Sequence, residues 1–204
     1  MNGDQSSSAT SPSLLMRVRN PDDRESWKTF ERIYSSIVRS YCAHWGLQQV
    51  DADDIVQEVM GDVAKQIKNF DYDPAKGRFR AWLGTISANK IKTFLTRANR
   101  RVANEVPIAS EANAIENGYA DPDSNWIEVF SEQILQAALE NVRPLFEETT
   151  WKSFTATWID QTKSDEVAKK LGIPVHSVYV NKSRVLKRLE LEIRDLAEDL
   201  AYDF

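Results

Sequence analysis

Cysteine is almost missing from this chain of 204 residues: Cys42 stands alone, so no disulfide can close within it. Histidine is nearly as rare. His44 and His176 are far apart, and a structural zinc site would need several carboxylates beside them, so no metal or other cofactor is expected. No apolar run approaches the roughly 20 residues that cross a bilayer, and membrane insertion is not expected. Residues 1–10 have neither the basic start nor the apolar stretch of a secretory signal, and they read as a short disordered lead. A reduced, cytoplasmic setting is the expectation. Glycine and proline are scarce too, at seven each, which leaves few breaks between helical segments.

Charge of one sign is missing from whole stretches. Lys76 to Arg101 holds eight cations and no anion. The preceding Asp51 to Asp73 holds seven acids against two lysines, and the following Val102 to Asn141 holds eight acids and no cation. A net charge of −5 conceals this alternation. Separate blocks of opposite sign imply two kinds of partner, one polyanionic and one basic. Nucleic acid is the first candidate for the polyanion.

What is present recurs at helical spacing, and no alternating strand pattern appears, so the fold is expected to be all-α. A short helix is expected over Pro12 to Val18, capped by Ser11. The next runs from about Asp23 to Trp45 on a stripe that includes Trp27, Phe30, Tyr34, Ile37 and Tyr41, and Gly46 ends it. A third starts near Asp51, with Ile55, Val56, Val59, Val63 and Ile67 on one face. After a loop at 71–77 the basic helix spans about Arg78 to Arg100. Periodicity lapses over 102–122, then returns near Asp123 to Asn141 and Pro144 to Ile159. The expected organisation is two small helical domains, 11–101 and 123–204, joined by a flexible acidic linker at 102–122.

The stretch from Ser164 to Arg184 fits a helix-turn-helix. Ser164 can cap the first helix, Ala168 is small where two helices cross, and Gly172 can take the left-handed turn. Val178, Val185 and Leu189 form the buried stripe of the second helix. Ser177, Tyr179, Asn181, Lys182, Arg184, Lys187 and Arg188 remain for solvent or a major groove.

On the third helix Asp54, Gln57, Glu58 and Gly61 share the face opposite the apolar stripe. Here the run Asp-Asp-Ile-Val-Gln-Glu-Val decides among DNA-binding regulators. Together with Gly-Arg-Phe-Arg-Ala-Trp-Leu, Ile86-Ser-Ala-Asn89, Arg97-Ala-Asn-Arg-Arg101 and the helix-turn-helix, it resembles bacterial RNA polymerase sigma factors of the extracytoplasmic-function (ECF) group. The resemblance covers nearly the whole chain except the lead and the linker. It implies that Asp54, Gln57, Glu58 and Gly61 dock on the coiled coil of the polymerase's largest subunit. It implies that Phe79, Trp82, Leu83 and Ile86 are core positions of the promoter-melting helix. Arg80, Asn89, Lys92, Arg97, Arg100 and Arg101 match the side that meets the downstream (−10) promoter element, with Asn89 and the loop at 71–77 as candidates for a flipped base. The helix bearing Arg184 would read the upstream (−35) element, although Tyr179 and Val180 depart from the usual residues there. Core RNA polymerase, promoter DNA and an anti-sigma factor are the partners the resemblance implies.

Two other readings compete. A stand-alone helix-turn-helix regulator would bind its promoter without polymerase. A phosphoesterase would use Asp51, Asp53, Asp54 and Glu58 as a metal cluster. Asp53 and Asp54, however, point about 100° apart on one helix, and no recognisable motif elsewhere offers converging ligands. The chain is therefore not expected to be an enzyme.

Overall fold

The computed structural model describes residues 13–70, 78–102 and 124–197, without the side chains of residues 78 and 99–102. Among these residues the fold is all-α, in eight helices: α1 Leu14–Arg17, α2 Arg24–His44, α3 Gln49–Gln66, α4 Arg78–Val102, α5 Ser124–Val142, α6 Glu148–Phe154, α7 Ser164–Leu171 and α8 Val175–Leu196. The lead, the loop at 71–77 and nearly all of the linker lie outside the described residues.

Helix boundaries follow local chemistry. Asp23 caps α2, its carboxylate accepting from the Ser26 amide at 3.0 Å and from Ser26 Oγ at 2.8 Å. The hydrogen bond from the Ser26 amide, followed by that from its hydroxyl, holds the Asp23 pKa below the ordinary carboxylate value. Gly46, at φ +75°, ends the helix in the left-handed region. Ser13 caps α1, two residues beyond the expected Ser11.

Ser164 is not a cap. The Glu166 and Val167 amides bond back to the Lys163 carbonyl at 3.0 and 3.1 Å, which makes Lys163 the capping residue and Ser164 the first residue of α7. The single helix expected over Pro144 to Ile159 is likewise broken. Arg143–Leu145 is one tight turn, Phe146 is extended, α6 follows, and Thr155–Ile159 widens into a π-turn. Helix α8 stops at Leu196, where Tyr34 Oη donates to the Leu196 carbonyl at 2.6 Å.

Helix α2 is the central strut. It packs on α3 along one side and on α5 along another, while α8 lies between α5 and α6. Phe30, Tyr34, Phe79, Phe70 and Trp82 form an aromatic cluster under α4, and Tyr41 meets Trp126 of α5 edge-on at a centroid distance of 5.0 Å. Side chains of both helical halves, from Leu14 to Ala197, belong to one continuous core. Aromatic rings bury large areas and favour such edge-on meetings, so this cluster is the main apolar anchor of the fold. Val167, Ala168 and Val178 form a smaller core where α7 crosses α8.

Candidate polymerase-docking and nucleic-acid surfaces

Helix α3 sorts its residues by side. Ala52, Ile55, Val56, Val59 and Val63 are buried, while Asp54, Gln57, Glu58 and Gly61 are exposed together in one acidic row. A Cβ on Gly61 would meet nothing within 4 Å, so the row is flat there and open to a partner. Asp53 is turned aside to Arg39, whose Nη2 lies 2.8 Å from Asp53 Oδ1.

Helix α4 lies against α3. Phe79, Trp82, Leu83 and Ile86 are buried in the core, as expected of structural positions. Lys90 reaches over to α3 and places Nζ 2.9 Å from Asp62 and 3.2 Å from Glu58. Burial opposes the Lys90 charge, but the bonds and charges of Asp62 and Glu58 outweigh it and hold its pKa above the ordinary lysine value. Asn89 is half-buried, Lys92 is exposed one turn on, and Arg97 is exposed beyond them. The structure brings Asn89 and Lys92 together on one side. Arg80 does not join them: nine residues is two and a half turns, so it sits on the opposite side of α4, half-buried beside α5. The side chains of Arg100 and Arg101 lie outside the described residues.

An acidic face and a basic helix, adjacent and cross-braced, are what the comparisons with known proteins address. Residues 32–101, from the middle of α2 to the end of α4, match the family model described as Sigma-70 region 2. Over 189 residues the chain is 24% identical to the ECF RNA polymerase sigma-E factor of Haemophilus influenzae, a match covering 92% of this chain and 97% of that protein. Both matches are to sigma factors, the second to one of the extracytoplasmic-function type.

In the C-terminal half of the chain, α7 and α8 are joined by a tight turn. Gly172 sits at φ +66°, ψ 32°, and the Ile173 amide bonds to the Ala168 carbonyl at 3.1 Å. Val178, Val185 and Leu189 are buried as expected. Arg184 and Lys187 are exposed, and Tyr179 is 58% exposed. Ser177, Asn181 and Lys182 are half-buried along the edges of the helix. Arg188 is held by Glu192 one turn on, at 2.9 Å, so it is less available than its neighbours.

Two features of the surfaces escape sequence reading. The Lys90 brace joins positions 58, 62 and 90, and only the crossing of α3 and α4 shows that they meet. The second is Gly84, on which Trp126 lies. A glycine within a helix next to two large apolar residues was a sign that another element approaches there.

Proposed function

We propose that this sigma factor directs promoter-specific transcription initiation by docking on core RNA polymerase through Asp54, Gln57, Glu58 and Gly61. Asn89 and Lys92, with Arg97, Arg100 and Arg101 further along α4, meet the downstream element as its strands part. Cations there hold backbone phosphates of the separated strand. Ser177, Tyr179, Asn181, Lys182, Arg184, Lys187 and Arg188 present α8 to the upstream element in duplex form. The factor supplies recognition and strand separation and catalyses no reaction of its own. Its place of work is the cytoplasm, with polymerase. An anti-sigma factor that covers the acidic and basic faces together is a fitting regulator.

One observation carries this reading. The acidic row of α3 and the basic side of α4 lie next to each other, braced by Lys90, inside the segment that matches sigma-70 region 2. A polyanion-binding face beside a face for a basic partner suits a protein that hands DNA to polymerase.

The test is a mobility-shift titration of promoter DNA with this protein, core polymerase, or both. Sequence-selective binding only with both present is the expected result. Tight selective binding by the protein alone would favour the stand-alone regulator instead.

A further inference from the structure

Burial marks out the solvent side of α8. His176, Tyr179, Val180, Ser183, Arg184 and Lys187 are exposed, at steps of three, one, three, one and three residues, which is one unbroken helix face. No acid occurs anywhere in 175–189, which also holds Lys182 and Arg188. Among the described residues neither Arg184 nor Lys187 is paired with an acid, whereas Arg188 is tied to Glu192. A polyanion is the partner that such a face suits.

Two residues of this face are out of place on a surface made only for phosphates. Tyr179 is 58% exposed and Val180 39%, side by side in the second turn of the helix. Neither packs into the small core where α7 crosses α8, which takes Val178 from this helix and Leu171 and Ile173 from before it. Nor does valine serve the helix itself, since its branched side chain is a weaker helix former than alanine. Folding gives no reason for the pair. A phosphate does not explain Val180 either, because that side chain has no polar group to offer one.

In a major groove, the one apolar group on the base edges is the 5-methyl of thymine. The first turns of a recognition helix are the part that meets those edges. Guanine is the base that matches the guanidinium of Arg184. Val180 lies four residues before Arg184, about 6 Å along the helix, which is less than two base-pair steps of about 3.4 Å. We propose that Val180, flanked by Tyr179, reads a thymine methyl group, so that the upstream element of this protein carries thymine beside the guanine contacted by Arg184. Tyr179, about 100° round the helix, shields the other side of the methyl group from water. This inference rests on the proposed reading of α8 as the helix that meets the upstream element.

The test uses holoenzyme assembled from core polymerase and the full chain. Binding selection from a promoter library with a randomised upstream region first defines the preferred element. Each thymine in it, on either strand, is then replaced singly by uracil, which differs only in lacking the methyl group. The expected element has a thymine next to, or one pair removed from, a guanine whose preference is lost in Arg184→Ala. Binding should weaken about 4-fold when that thymine becomes uracil, the value of one buried carbon. Val180→Ala should bind the thymine and uracil forms alike. This variant should fold, because the site is exposed and alanine is the stronger helix former. Uracil tolerated at every position would overturn the proposal, as would a thymine preference kept in full by Val180→Ala. Weaker binding of Val180→Ala to core polymerase alone would overturn it too, by assigning the pair to a protein contact. The sigma-factor reading fails separately, if the unmodified protein gives core polymerase no preferred element.

Discussion

Lys90 Nζ stands 2.9 Å from Asp62 and, on the same side, 3.2 Å from Glu58, so the helix proposed to meet DNA is pinned to the helix proposed to meet polymerase. Lys90→Met should destabilise the fold by about 1 kcal/mol at low salt, as expected for a partly exposed ion-pair network. The difference should shrink at high salt. Because the folded pKa of Lys90 is raised, the brace is fully present below the ordinary lysine value and is lost only as pH rises through the folded one. Denaturant melts of the variant and the wild type at two salt concentrations check this. A difference that does not change with salt would mean that packing, and not charge, is what Lys90 supplies.

Gly61 separates the needs of folding from those of docking. It lies inside α3 with open space around it, so Gly61→Ala should stabilise the helix by about 0.5–1 kcal/mol. On a docking face the added methyl stands where a partner approaches, and affinity for core polymerase should fall. A thermal melt and a core-binding titration on the same preparation are sufficient. Higher stability together with unchanged affinity would remove Gly61 from the interface.

Arg184 and Lys187 are both exposed on α8 but are assigned different work. Arg184→Ala should cost roughly 1–3 kcal/mol of promoter discrimination, the value of a bidentate base contact. Lys187→Ala should weaken binding about equally on all promoters and flatten its dependence on salt. Holoenzyme binding to matched and mutated upstream elements over a salt series separates them. Normal discrimination by Arg184→Ala would mean that α8 meets DNA in another register.

Asn89 and Lys92 lie one turn apart on the side of α4 away from its core. Asn89→Ala and Lys92→Ala should leave holoenzyme assembly intact and impair strand opening at the downstream element. Opening should recover in part on a template with those base pairs already mismatched, since no duplex then has to be unpaired. Permanganate footprinting on both templates measures it. Equal opening by mutant and wild type on the matched template would leave both residues as solvated positions.

Much of this architecture is legible in the sequence, and the exceptions have physical causes. The stripe of α2, the buried face of α3 and the left-handed turn at Gly172 depend on spacing within one segment, and they are found where spacing places them. The first residue of α7 depends on which carbonyl accepts the first helical bond, and a good capping residue one position later misleads. Arg80 shows how helical phase is overlooked. Its separation from Asn89 already implies opposite sides of α4, but a row of like charges hides the helical phase. The Lys90 brace and the Trp126 seat join residues on different helices, and no local pattern says which residues meet, although the helical glycine at 84 marks a close approach. Cys42 is legible only in part: its solitude is a sequence fact, while the burial that pushes its thiol up to about 11 comes from the packing of α2.

The central claim is that this protein gives core polymerase its choice of promoter. The most direct measurement is run-off transcription by purified bacterial core polymerase on genomic fragments, with and without this protein, mapping the start sites. The account predicts a defined set of new start sites that share an upstream and a downstream element and vanish with Glu58→Lys. Start sites unchanged by adding the protein, in a preparation that binds core polymerase, would contradict it.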